Sequence, residues 1–313
     1  MNIFITGSNG FIGSHLKEYL EIKYPDYSLY TPPSEILNLY SENAVDNYIS
    51  DHNIDIIIHL ANRGGGRDTI NMKNITEYNL RMFFNIAKHA KNVQKILSFG
   101  SGAEYGKHKP IIKAKEEDYR NTLPFDEYGL YKTIISKYIE KSQNIVQLRI
   151  FGAYGEYENY RYKFISNAIV KNILHLPITI HQNVYFDYIY IHDLLQMIDW
   201  FIHNKNSENI YNASSGTKID LVTLANMINE VSNFKSEIIQ LNSGFNHEYT
   251  SDNTKILEEI GPFQFTSHTN AITKMRKFFN YNIDKLDHRT IKEDPYINKI
   301  NKIWKAKNGY ASH

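Results

Sequence analysis

The sequence predicts an α/β protein built on a doubly wound parallel sheet with a smaller C-terminal α/β subdomain. Three observations carry this expectation. Short aliphatic runs alternate with amphipathic segments through the first half of the chain, a glycine-spaced turn directly follows the first of those runs, and the alternation breaks after residue 151.

Asn2–Thr6, Ser28–Tyr30, Asp55–Leu60, Lys95–Phe99 and Ile145–Phe151 read as strands, mostly apolar on consecutive positions, as strands covered on both faces must be. Between them Phe11–Leu20, Glu42–Ser50, Ile75–Ala90 and Tyr128–Lys141 carry apolar residues at helical spacing. In the third, Tyr78, Met82, Phe83, Ile86 and Ala87 form one broad stripe, read as core or as a helix of a dimer. Beyond Phe151 the stretch 152–162 turns rich in Gly, Tyr and Glu. Asn183–Ile191 and Asn209–Asn212 again look like strands, with a helix over Asp193–His203 between them.

Composition narrows the function. With 35 basic and 34 acidic residues among 313, there is no electrostatic case for nucleic acid or an anionic membrane as partner. A small molecule is the expected ligand. The absence of cysteine excludes disulfides, thiolate nucleophiles, Fe–S clusters and Cys-ligated zinc. No apolar run approaches a membrane span and the start Met1-Asn2-Ile3-Phe4 lacks a signal pattern, so a cytoplasmic location is expected.

Gly7, Gly10 and Gly13 form G-x-x-G-x-x-G between the first strand and the first helix. Glycines there permit a tight turn, close backbone approach to a pyrophosphate and close helix–strand contact, while the helix N-terminus offers unpaired N–H groups. The turn, with Asn9, Phe11 and Ile12, is therefore read as the dinucleotide site of a Rossmann-type fold. Asn38 and Leu39 are expected beside the adenine, and Leu60, Ala61 and Asn62 on the diphosphate side. The stretch Leu29–Ser34, where a ribose-binding carboxylate is usual, holds no acid and no base. A 2′-phosphate would meet no cation there, which favours NAD and leaves NADP possible. On this reading residues 1–151 are a dinucleotide-binding domain that 183–230 partly rejoins, and 152–182 with 231–313 form the substrate-binding subdomain.

A second constellation is Ser101 with Tyr128 and Lys132. Tyr-x-x-x-Lys occurs four times, at Tyr19, Tyr105, Tyr128 and Tyr281, so spacing alone decides nothing. Position does: only Tyr128 opens the helix joining the fourth and fifth strands, with Ser101 just past the fourth, where doubly wound sheets bind ligands. An ammonium four residues along lies on the same helix face and is expected to lower a phenol pKa of about 10 toward a useful general base.

Together with Gly100-Ser101-Gly102-Ala103-Glu104-Tyr105-Gly106, Leu148-Arg149-Ile150-Phe151, Phe186–Leu194, Ile210-Tyr211-Asn212 and Ser251-Asp252-Asn253, these residues resemble the extended short-chain dehydrogenase/reductases acting on nucleotide sugars, from residue 1 to about residue 280. The resemblance implies that Ser101 orients the reacting oxygen, Tyr128 exchanges its proton, and Lys132 binds the nicotinamide ribose and tunes Tyr128. It places Asn79 and Phe151 at or around the cofactor. Phe186 stands where many members carry an Arg for the substrate diphosphate, and Gly152 where Asn is common, so Lys163 or Arg161 is the expected replacement. The stretch from Tyr30 to Leu60 also looks like GDP-fucose synthase, but Lys163 stands where that enzyme has its catalytic His. Dehydrating members place Asp-Glu after the Ser position. Here Gly102 and Ala103 stand there, and Glu104 is read as a surface carboxylate.

Other candidates read as structural. The 13 histidines show no metal-ligand spacing, so no metal is expected; His59 reads as a core histidine and Asp193 as a helix N-cap. Arg63-Gly64-Gly65-Gly66-Arg67 is either a lid near the diphosphates or a solvated loop. The expected function is an NAD-dependent oxidoreductase at C4 of a nucleoside-diphosphate hexose or heptose, as dehydrogenase, reductase or epimerase, acting as a homo-oligomer in bacterial surface-polysaccharide synthesis. The alternative is a catalytically silent dinucleotide sensor on the same fold.

Overall fold

The computed structural model describes residues 1–309 apart from 67, 70 and 71, with side chains described as far as residue 303. Arg67 and the last four residues of the chain therefore lie outside the described residues.

The chain runs β1 (Asn2–Thr6), α1 (Phe11–Lys23), β2 (Ser28–Tyr30), α2 (Glu42–Asp51), β3 (Ile56–His59), α3 (Ile75–Ala87), β4 (Lys95–Ser101), β5 (Ile111–Ala114), α4 (Glu127–Ile139), β6 (Ile145–Ile150) and β7 (Gly152–Tyr154). There follow α5 (Phe164–Ile173), β8 (Ile178–Asn183), β9 (Tyr185–Tyr190), α6 (Ile191–His203), β10 (Ile210–Ala213), β11 (Lys218–Asp220) and α7 (Leu221–Glu230). The last elements are β12 (Ile238–Phe245), β13 (Tyr249–Ser251), α8 (Thr254–Ile260), α9 (His268–Tyr281), α10 (His288–Lys292) and α11 (Pro295–Gly309).

Six strands form a wholly parallel sheet in the order β10-β6-β4-β3-β1-β2. The strands are apolar on both faces because both are covered. Ile3, Ile5, Ile58, Leu97 and Leu148 pack with Leu16 and Leu20 of α1 and Leu194, Ile198 and Phe201 of α6. The residues between them, Phe4, Ile57 and Ile96, pack with Val45, Phe83, Ile86 and Ile135 of α2, α3 and α4. The chain leaves β1 toward β2 on one side and returns to β3 on the other. This reversal opens a crevice beyond the carboxyl ends of β1 and β3.

Of the later strands, β10 joins the main sheet beside β6, whereas β9 belongs to a second, mixed sheet of order β11-β9-β13-β5, with β7 pairing β9. Through the parallel pairing of β13 with β5, residues near 250 lie beside the segment that follows Ser101. The remaining pair, β12 and β8, is parallel. Among the described residues no helix is long and apolar enough to cross a membrane.

Candidate active site

The cleft begins at the turn after β1. Gly7 has φ +70°, and a β-carbon there would lie 2.7 Å from the Ala61 amide nitrogen; one on Gly13 would lie 2.2 Å from the Gly7 carbonyl oxygen. Both glycines are therefore dictated by backbone packing. Gly10 is looser, its nearest contact being the Gly7 oxygen at 3.3 Å, and it caps α1 without a side-chain hydrogen bond. The first-turn N–H groups of Phe11, Ile12 and Gly13 have no partner inside the helix, the arrangement that receives an anion.

This turn borders a cleft of about 310 Å³ lined by Gly7, Asn9, Gly10, Asn38, Leu39, Ala61 and Asn62, all of which sequence reasoning assigned to the cofactor. Leu60 contributes differently. Its side chain packs into the core, and only its backbone reaches Gly7. The cleft also takes Pro32, Pro33 and Ser34 of the stretch expected at the ribose, Arg63 of the glycine-rich loop, and Tyr40 and Met82, which sequence reasoning did not assign to it. Pro32 to Ser34 directly follow β2, so the rule that ligands bind beyond strand carboxyl ends was the usable signal. Arg63 stacks its guanidinium 3.9 Å above the Tyr78 ring, with the Tyr40 hydroxyl holding its pKa up. A cation thus borders the cleft although the stretch after β2 carries none.

The glycine-rich loop after β3 is anchored on both sides. Asn79 accepts from the Arg63 N–H at 2.9 Å and donates to the Arg63 and Ile75 carbonyls at 2.8 and 2.6 Å. Its amide is spent on backbone, so Asn79 shapes the loop and does not line the cleft. Asn62 donates to the Gly64 carbonyl at 2.6 Å and accepts from the Tyr131 hydroxyl. Gly65, at φ +88°, lies so close to Tyr128 that a β-carbon would come within 2.3 Å of its Cδ2. The described part of this loop, residues 62–66, thus borders the cleft at Asn62 and Arg63 and touches α4 at Gly65, with Asn62 and Gly65 exposed to solvent.

Asp126 caps α4 by accepting from the Gly129 N–H at 2.9 Å, which sets Tyr128 in the first turn. Lys132, one turn on, donates to the Phe99 carbonyl at 2.5 Å and keeps its ammonium 6.0 Å from the Tyr128 ring centre. Burial pushes the Lys132 pKa down to about 8, with the Glu104 carboxylate acting against that. Burial also raises the Tyr128 phenol, opposed by a hydrogen-bonding contact with Ser101. The expected lowering by Lys132 is not what this structure has, because that ammonium is directed at the Phe99 carbonyl.

Ser101 is buried at the end of β4, where its hydroxyl accepts from the Ala103 N–H at 3.2 Å. It also contacts the hydroxyl of Tyr249, whose pKa is raised by burial. Tyr249 comes from β13 and carried no local signal in sequence. The Phe151 ring lies 5.0 Å from Tyr249, and both crowd Gly102: a β-carbon there would meet the Tyr249 oxygen at 2.6 Å and Phe151 Cδ1 at 2.8 Å.

Two sequence readings are overturned here. Glu104 is fully buried, not on the surface. It receives Arg149 Nε at 2.6 Å, Ser136 Oγ at 2.5 Å and the Ser101 N–H at 2.9 Å. A carboxylate paired with a buried guanidinium is a brace beneath the site. Asp193 is not an N-cap, because α6 begins two residues earlier with Tyr190 as its cap. Asp193 instead accepts from the Thr266 N–H and hydroxyl at 2.8 and 2.7 Å. His59 is a core histidine, bonded to Thr6 at 2.9 Å and pushed down to about 3 by burial. Of the two cations expected at the diphosphate, Arg161 pairs with Asp287 at 3.1 Å, while Lys163 is exposed at the start of α5.

A glycine turn opening a helix beside a parallel-sheet crevice, with serine, tyrosine and lysine beyond it, has the layout of a dinucleotide-dependent enzyme. Residues 3–214 match the NAD dependent epimerase/dehydratase family, and the chain belongs to that family. The chain is 25% identical over 280 residues to the ADP-L-glycero-D-manno-heptose-6-epimerase of Brachyspira hyodysenteriae, covering 76% of this chain and 83% of that one. To the dTDP-4-dehydro-6-deoxyglucose reductase of Escherichia coli it is 29% identical over 272 residues, covering 75% and 83%. Its fold is similar to the GDP-mannoheptose C4 reductase from Campylobacter jejuni, solved with NADP bound, at a TM-score of 0.77 and 18% identity, covering 89% and 98%.

Proposed function

We propose that this protein is an NAD-dependent oxidoreductase acting at C4 of a nucleoside-diphosphate hexose or heptose, as 4-dehydrogenase, 4-keto reductase or 4-epimerase, in the making of bacterial surface polysaccharide. The observation that carries the proposal is the placement of Tyr128, in contact with Ser101 and one helical turn from Lys132, against a loop whose other end lines the dinucleotide cleft. The uncapped first turn of α1 and the space kept by Gly7 and Gly13 fit a dinucleotide diphosphate. A nicotinamide, when bound, supplies the hydride acceptor or donor.

The chain's own residues handle the proton. Ser101 holds the sugar oxygen by hydrogen bonding, and the Tyr128 oxygen takes the C4 hydroxyl proton during oxidation or returns one during reduction. The Lys132 ammonium, one helical turn from Tyr128 and directed at the Phe99 carbonyl, binds the nicotinamide ribose. Tyr249 shares Ser101 and forms the wall facing the sugar. Lys163 meets the substrate diphosphate, since Arg161 is held by Asp287. The exposed ring of Phe84 on α3, edge-on to Tyr138 of α4, suits burial against a second copy of the chain.

The reading is tested by incubating the protein with NAD or NADH and a panel of nucleotide sugars and their 4-keto derivatives, following nicotinamide absorbance and product stereochemistry together. Turnover at C4 supports it. Binding of dinucleotide with no turnover of any member of the panel points instead to a silent sensor.

A further inference from the structure

His15 of α1, Glu156 just after β7 and His192 at the start of α6 converge at the joint of three elements, away from the residues assigned above to proton transfer. His15 Nε2 lies 4.0 Å and His192 Nε2 3.7 Å from the same oxygen, Glu156 Oε2, and the three ligand atoms all fall within 4.8 Å of one another. We propose that His15, Glu156 and His192 bind a divalent transition-metal ion, zinc being the ion their chemistry suits best.

The hydrogen-bonding around His15 argues for a ligand. Its Nδ1 lies 2.9 Å from the Phe11 carbonyl, which can only accept, so the ring proton sits on Nδ1 and Nε2 presents its lone pair. That Nε2 is buried without a hydrogen-bond partner among the described residues, in a side chain only 4% exposed. A buried polar atom left this way is destabilising unless something meets it.

The surroundings match those of metal ligands. Imidazole held by a backbone carbonyl, and carboxylate held by a hydroxyl, are the usual outer partners of such sites. Here Phe11 serves His15, and the Tyr190 hydroxyl donates to Glu156 at 2.8 Å. Two imidazoles disfavour magnesium and calcium, which take oxygen ligands, and suit zinc. Zinc about 2.1 Å from each ligand needs donor atoms roughly 3.4 Å apart. The two imidazole nitrogens stand 4.0 and 3.7 Å from the Glu156 oxygen and within 4.8 Å of each other, so closing the site takes side-chain shifts of up to about an ångström, which the half-exposed His192 is free to make. His192 is 51% exposed and Glu156 14%, giving a path inward and room for a water as fourth ligand.

The ion would tie α1, one turn beyond the phosphate-facing Phe11, to α6 and to the segment following β7. Sequence spacing concealed the set because each ligand comes from a separate element.

The test uses tag-free, EDTA-stripped full-length protein titrated with Zn²⁺ by calorimetry, with thermal unfolding alongside. Expected is saturable binding of one equivalent per chain and a rise in melting temperature. His192→Ala, a change at a half-exposed position, should weaken binding by about 10–100-fold or more while leaving the zinc-free melting temperature and dinucleotide affinity unchanged. His15→Gln should do the same to binding, although its burial puts folding at risk. No saturable binding, or binding undiminished in folded His192→Ala protein, overturns the proposal.

Discussion

Gly65 and Tyr128 are in contact through space that only a glycine leaves open, with the Tyr128 ring standing where any β-carbon would have to go. The loop from Asn62 to Gly66 therefore acts as a backstop for the proposed general base. Gly65→Ala should displace ring or loop and reduce turnover by about 10²-fold, the scale of an ångström's misplacement. Steady-state kinetics with a circular-dichroism melt checks this. A folded Gly65→Ala protein of unchanged activity would show that the contact does not position Tyr128.

Removing the phenol oxygen is a separate matter from moving it. Tyr128→Phe should lower kcat by about 10²–10⁴-fold, the usual worth of a positioned acid or base, with the melting temperature little changed. Lys132→Met should weaken dinucleotide binding as well, and it leaves the Phe99 carbonyl without its donor. Should Tyr105→Phe alone prove crippling by the same assay, the choice among the four Tyr–Lys pairs would be wrong.

Gly10 is the position at which to test the cleft. Gly7 and Gly13 are packed against backbone, so side chains there threaten the fold, whereas Gly10 meets only one oxygen at 3.3 Å and faces the cleft. Gly10→Val should therefore fold and lose NAD binding, as read by calorimetry.

Glu104 and Arg149 are both fully buried and joined at 2.6 Å. Glu104→Gln should destabilise the protein by about 3–5 kcal/mol in urea unfolding, because the guanidinium is left without its counter-charge. With that carboxylate committed to Arg149 and Ser136, the sugar product is expected to keep its water. A product mass lower by one water, restored in Glu104→Gln, would return Glu104 to the chemistry.

His59 makes acid sensitivity predictable. Its pKa is about 3 in the fold against about 6.5 unfolded, so between those values the unfolded chain binds the extra proton and stability falls as pH falls. From pH 7 to pH 5 the loss from this group is about 2 kcal/mol, and it is absent above pH 7. His59→Gln should flatten the dependence of unfolding free energy on pH across that window, whatever its effect at neutral pH. An unchanged slope removes His59 as the cause.

Much of this architecture was legible in sequence because local signals and global position agreed. β1 and β2 fall on the expected residues, and α1 starts at the expected Phe11, since the parallel sheet demands apolar runs and the phosphate turn demands glycine. The site's near half was legible for the same reason. What could not be read depends on distant chain returning. Glu104 looked like a surface acid because its partner Arg149 lies on another strand. Arg63 reaches the cleft through stacking on Tyr78, and Tyr249 arrives only by the pairing of β13 with β5. Asp193 was misread by two residues of helix start, enough to turn a cap into an internal tether for Thr266.

Ser101 stands between two tyrosines of different origin, Tyr128 from the nucleotide-binding half and Tyr249 from the strand that crosses from the other half. Inheritance can thus act on the two separately. On the proposed function, mutations along β13 reshape the Tyr249 side of Ser101 while leaving in place the helix that carries Tyr128. A lineage of such proteins could then vary the proposed sugar pocket one strand at a time while the proposed proton-transfer helix stays the same.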